Sequence, residues 1–428
     1  MKTIFRSIGL AMLAALFIAA SSGTSFAQAG CDDIDAMNVL DAKIRENYPK
    51  GATVKIAIDA GKEYLQKFGE CEVAKEFVGW LKLQMPKWEE RYKKVQFDLE
   101  MGPRFKRFDA GINGDNADEV FAAGKEILAV KADDLNIMVP MAMAGLLQSY
   151  KTNHKYADDS LRLAKTIVAK LKAGAEATKK NPQGVGTYGA LKFEFTKEEL
   201  LDELPYGIAY MTYWAKNDKK TALPLYYEIS QGTGKFKNEP RVYATIGGYY
   251  QEEAGKIGAE IASMIEKQKA LATDDEKVKM EADIKVKVGM FNGYTERALD
   301  AFGRAYKVAP TATDADKKYR DAIYADIKKL YESRFDKATG IDAYLAATTA
   351  KPFPNPTSEV TPINDPDPVT TSTSTGVGAA TGNGVGAGNG SGVGAGNGSG
   401  VGASSGKSLV NTAAPKPTTT QATKKPRR

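Results

Sequence analysis

Small and large residues recur at fixed helical distances along this chain, and the recurrence limits the fold more than any other feature. In ALDAFGRAYKVAP, Ala298 is followed by Phe302 one turn on, then by Ala305 and Pro310. The same order appears at Ala157, Leu161 and Ala164, at Ala117, Phe121 and Gly124, and loosely at Ala222, Tyr226 and Ile229. Ala117 and Ala157 stand about 40 residues apart, a period that suits a two-helix unit. Between Ala222 and Ala298 there is room for two more hairpins.

Matching partner helices precede these anchors. Met141, Ala144 and Gly145 lie upstream of Ala157; Tyr243, Ile246, Gly247 and Tyr250 give a large–large–small–large order ahead of Ala259; Gly207 and Tyr210 repeat it. Gly or Ala at a helix crossing lets two backbones approach to about 8 Å, and a large residue one turn away fills the adjoining groove. One such hairpin cannot bury its apolar face alone, so hairpins of this kind stack.

This pattern resembles the tetratricopeptide repeat. The matching positions are Gly145, Ala157, Leu161 and Ala164 in one unit, Tyr243, Ile246, Gly247, Tyr250 and Ala259 in a second, and Ala298, Phe302, Ala305 and Pro310 in a third. The family's first-helix aromatic is Met141 here, and the unit ending at Pro310 lacks a clear first helix. The resemblance implies an all-α, right-handed solenoid of helical hairpins over residues 101–310, with a concave groove. Helical caps are expected at 31–100 and 311–350.

Local signals agree. Segments 52–68, 117–130 and 317–335 place apolar residues at i, i+3, i+4 and i+7. Tyr48-Pro49-Lys50-Gly51, Asn113-Gly114-Asp115, Asn181-Pro182-Gln183-Gly184 and Gly232-Thr233-Gly234 break them. No stretch sustains a strand-like alternation, so the folded part is read as nearly all helix.

Both ends differ from this middle. Lys2 and Arg6, the apolar run from Ile8 to Ala20 and the small residues ending at Ala27 form an export signal over residues 1–27, too short for a membrane span. Ala29-Gly30 stands before Cys31 as lipoprotein processing requires, but Gln28 occupies the aliphatic position, so cleavage after Ala27 or Ala29 is expected instead. From Lys351 onward Pro352, Pro354, Pro356, Pro362, Pro366 and Pro368 exclude helix. Tandem copies of GVGAGNGS follow, and residues 351–428 are expected to be a disordered spacer. It ends in Lys424, Lys425, Arg427 and Arg428, a basic end suited to weak contact with anionic envelope polymer or lipid headgroups.

Chemistry is hard to find. Two cysteines and one histidine cannot build a structural zinc site. In an exported chain Cys31 and Cys71 are expected to form a disulfide. His154 falls in a loop with nothing to mark a nucleophile or an orienting carboxylate. GASSGKS (402–408) miscounts a phosphate-binding loop, and DAGINGDNADEV (109–120) has Gly111 and Val120 where a calcium loop needs ligands. The net charge of +6, about +4 without Lys2 and Arg6, is too mild and dispersed for nucleic acid. Arg104-Phe105-Lys106-Arg107 reads as a solvated face.

The aromatic set Tyr206, Tyr210, Tyr213, Trp214, Tyr226, Tyr227, Tyr243, Tyr249 and Tyr250 exceeds what one buried stripe needs. Neighbours in an adjacent pair point about 100° apart on a helix. The repeat places Tyr210, Tyr226 and Tyr250 in packing positions, leaving Tyr213, Tyr227 and Tyr249 as groove candidates. The expected function is therefore an exported scaffold, without catalysis, cofactor or metal, that binds a protein or peptide of the cell envelope. Two alternatives stand beside it. One is a glycan-acting enzyme using carboxylates among Glu194, Glu198, Glu199, Asp202 and Glu203. The other is a purely structural spacer.

Overall fold

A computed structural model describes residues 30–365, and they are mostly helical. The export signal, the Gly-rich repeats, the GASSGKS stretch and the basic end lie outside the described residues. The chain divides into two units between Arg107 and Phe108.

The first unit holds α1 (Ile34–Asn47), α2 (Val54–Phe68) and most of α3 (Lys75–Asn113). Asp33 starts α1 by accepting from the Ala36 amide at 3.0 Å, as a carboxylate at an N-cap does. Ile44, Val54, Ala57, Phe68 and Leu81 are fully buried. Cys31 and Cys71 are disulfide-bonded, with Cα atoms 5.5 Å apart. This pair fits an oxidising, exported environment. No helix among the described residues is long and apolar enough to cross a membrane.

The second unit continues with α4 (Ala117–Leu128), α5 (Leu135–Tyr150) and α6 (Ala157–Lys172). Asn116 caps α4 by accepting from the Glu119 amide, and Asp115 pairs with Lys192. The stretch weighed as a calcium loop is thus a helix end and a cap. His154 is exposed in the α5–α6 loop. A Cβ on Gly145 of α5 would overlap Ser160 Oγ of α6, so the two backbones meet there. Ala157, Leu161 and Ala164 are buried around that crossing.

Between α6 and the next helix, where Asn181-Pro182-Gln183-Gly184 was expected only as a break between helices, the chain forms strands instead. Strands β1 (Lys179–Lys180), β2 (Gly186–Ala190) and β3 (Phe193–Thr196) form an antiparallel sheet in that order, with Gly189 opposite Glu194. Leu191 takes a positive φ of 54° in the two-residue turn joining β2 to β3. The sheet lies against α5, where Gly189 leaves room for Val139.

Thr196 and Glu199 form a reciprocal capping box that starts α7 (Lys197–Tyr210). A π-helical turn, Met211–Ala215, follows, then α8 (Lys219–Gln231). The two hairpins expected next are one. Helix α9 (Pro240–Lys269) is continuous and pairs along its length with α10 (Asp274–Val308). A Cβ on Gly247 of α9 would lie 3.1 Å from the Phe302 ring of α10, and Ala298 and Ala305 are fully buried beside it. Ala259, assigned above to a second packing helix, is exposed on α9, because that helix runs straight through the position where a turn was expected.

Helices α11 (Asp314–Phe335) and α12 (Ile341–Thr349) pack on α10. The tail boundary at Lys351 needs correction. Residues 352–365 run as an extended strap over the second unit, with Phe353 and Val360 buried. The prolines exclude helix, as expected, but they do not keep this part of the tail from packing on its neighbours.

Candidate functional site

The residues singled out as groove tyrosines do not share a site. Tyr213 is 3% exposed and belongs to the core, packed against Tyr226 at 6.2 Å between ring centres. The physical reason is the π turn at Met211–Ala215. It holds more residues per turn than an α-helix, so a face projected at regular helical spacing is displaced. Burial raises the Tyr213 phenol well above its usual range. Tyr227 is half-buried and donates to the Phe353 carbonyl at 3.3 Å, so the strap covers it. Tyr249 is half-buried against Tyr250, whose phenol burial pushes up to about 12. Tyr226 and Tyr250 are core, as expected, and Tyr210 is half-buried against Tyr150.

The carboxylates of FEFTKEELLDEL have local duties. Glu194 accepts from Thr187 Oγ1 at 2.7 Å across the sheet. Glu199 completes the capping box. Asp202 accepts from the Lys235 amide, and Glu203, 9% exposed, pairs with Lys235 Nζ at 2.5 Å. Glu198 is exposed in the first turn of α7.

Those last two bonds build something else. They pin the loop after α8 onto α7. Gly234 leaves room there for the Asp202 carboxylate, which a Cβ would have to push aside. The pinned loop presents Phe236, which stacks on Tyr206 at 4.3 Å. Helices α6, α7 and α8 and this loop then enclose a cleft of about 720 Å³. Its walls are apolar: Val168 from α6, Leu201 and Ile208 from α7, Leu225 and Ile229 from α8, and Phe236.

Charge rims the opening. Lys165, Lys172 and Lys237 line it with Asp202 and Glu228. Nearby Lys170 and Lys235 are paired with Asp133 and Glu203, whereas Lys165, Lys172 and Lys237 make no ion pair among the described residues. Three ammonium groups against two carboxylates around an apolar hollow suit a ligand that is apolar with an acidic edge. Sequence reading missed this cleft because its lining is shared among three helices and a loop, each of which contributes four or five residues that are not adjacent to the others in the chain. The hint that existed was Gly232-Thr233-Gly234, read only as a helix breaker. No protein-family model, curated protein or solved structure matches this chain.

Proposed function

We propose that this chain is an exported stack of tetratricopeptide-like helical hairpins that binds a protein or peptide partner of the cell envelope. The binding place is the α6–α8 cleft rather than the tyrosine groove. The observation that carries the reading is the apolar cleft of about 720 Å³ with three unpaired lysines at its mouth. A peptide offering two or three apolar side chains on one face and carboxylates beside them meets both features. Close contacts made possible by glycine support the hairpin stack: Gly145 on Ser160, Gly207 on Leu146 and Gly247 on Phe302. The disulfide supports export. The glycan-enzyme alternative loses ground, since four of its five carboxylates hold the fold together at this place.

The test is panning of a random peptide library against the intact mature protein. Selected peptides should pair apolar with acidic residues. Their binding should fall at least about tenfold in Leu225→Asp, and again in the triple charge reversal Lys165→Glu, Lys172→Glu and Lys237→Glu. Peptides that bind both variants as well as the wild type would remove the cleft from the proposal.

A further inference from the structure

The strap over α10 is held the way a bound peptide is held. Phe353 sits between Tyr227 and Tyr243, with ring centres 5.9 and 5.6 Å away, and the Arg304 guanidinium lies 4.9 Å over its ring. Farther along, glycines of α10 let the strap backbone reach the helix. A Cβ at Gly293 would overlap the Thr361 carbonyl and lie 3.0 Å from Val360 Cγ1. The Ile363 amide donates to the Gly289 carbonyl at 2.9 Å, and Asn292 Nδ2 donates to the Ile363 carbonyl at 3.0 Å.

Arginines fix the register. Arg304 donates to the Lys351 carbonyl at 2.7 Å, and Arg297 to Ser358 Oγ at 3.0 Å. Arg334 holds the Asp365 carboxylate with two bonds, 2.8 and 2.9 Å. Its side chain is only 4% exposed, and Glu296 balances its charge from the other side. A buried, planar, two-pronged clamp of this kind selects a carboxylate at one place.

The occupant resembles a ligand in its own composition. Pro352, Pro354, Pro356 and Pro362 fix extended backbone in advance, so little chain entropy is lost on seating. Apart from Phe353 and Val360, no residue of 352–365 is buried. Among the described residues the segment is continuous with the fold through α12.

We propose that the α10 face is a second peptide site, which takes an extended, proline-spaced segment with an aromatic anchor at one end and an aspartate at the other. Residues 352–365 are its tethered occupant, and a partner segment of this pattern binds by displacing them. The site is distinct from the α6–α8 cleft and stands whether or not that cleft binds peptide.

A labelled synthetic peptide of residues 351–366 is the probe, titrated by fluorescence anisotropy against full-length protein. The tether keeps the strap at an effective concentration in the millimolar range, so the wild type should bind the probe poorly. Two full-length variants open the site: Phe353→Ala with Asp365→Asn, and Asp365→Lys alone. The second changes a carboxylate that is 61% exposed and is bonded to Arg334. Each should bind the probe at least about tenfold more tightly than wild type. Adding Arg334→Gln, or Gly293→Val, should abolish the gain, and a probe carrying Phe353→Ala should not bind. Failure of both opened variants, with unchanged circular dichroism, to bind the probe would overturn the proposal. So would a gain that survives Gly293→Val.

Discussion

Gly145→Ala is the sharpest test of how α5 crosses α6. An added Cβ would overlap Ser160 Oγ, lie 3.0 Å from Ser160 Cβ and 3.2 Å from Phe121 Cζ. Rotating the Ser160 hydroxyl away relieves only the first of these. The Cβ–Cβ separation is set by the backbones, so the helices must part by roughly 0.5–1 Å to restore ordinary contact. That loosens Leu161, Ala164 and Phe121 around the crossing, and overpacking of this kind costs about 1–3 kcal/mol. Removing a mid-helix glycine returns about 1 kcal/mol through helix propensity. The net loss should be about 0–2 kcal/mol, a fall in melting temperature of up to roughly 8 °C for a unit of this size. Ser160→Ala supplies the control. It deletes a fully buried hydroxyl that has no hydrogen-bond partner among the described residues, so alone it should be neutral or slightly stabilising. In the double variant it should recover part of the loss but not all of it. Urea melts of the four proteins measure the cycle. If Gly145→Ala is stabilising, the backbones do not meet at this position and the hairpin packing described here is wrong.

Three further outcomes are expected. Replacing Cys31 and Cys71 by Ser should destabilise the first unit by about 4 kcal/mol, the loop-closure value for roughly 40 residues, and unreduced exported protein should titrate no free thiol. Tyr213→Ala should cost about 3–5 kcal/mol in chemical denaturation, as loss of a buried aromatic does, while half-buried Tyr249→Ala should cost clearly less. Burial holds the Asp300 carboxyl above its usual range against the opposing pull of Arg304. The folded state therefore binds this proton more tightly than the unfolded one. Its contribution to stability grows as pH falls through the raised value, is complete below the unfolded value near 3.8, and is lost as pH rises. Asp300→Asn should remove that part of the pH slope, which parallel urea melts between pH 7 and pH 4 will show.

Much of the helical frame was legible because apolar spacing and capping residues act locally. Gly145, Ala157, Leu161 and Ala164 read correctly as one crossing. Gly247 and Phe302 were assigned to separate units and instead meet each other, because sequence spacing gives no distance between partners. Two helices in register keep that pattern however long they grow, so Ala259 was drawn into a unit that does not exist. The sheet escaped notice because Phe193 and Phe195 alternate over only four residues before the acidic helix start. Tyr213 was misplaced by a π turn that no propensity marks. The strap was read as spacer because its holding groups, Arg297, Arg304, Arg334 and two glycines, come from helices elsewhere in the chain. Composition describes what a segment can bury by itself, not what a neighbour can do for it.

The long α9–α10 pair has a consequence for how the protein opens. From Ala262 to Val288 no residue is buried, and Val278 and Val286 are about two-thirds exposed. Among the described residues this stretch is two helices deep with no third layer, and each helix relies on the other alone. Its amides should exchange with solvent through a local opening far cheaper than global unfolding, and should be insensitive to substitutions at Gly247 or Phe302. The arm is also tunable in length. Removing matched turns from both helices beyond Ile261 should shorten it while the hairpins at its base melt as before.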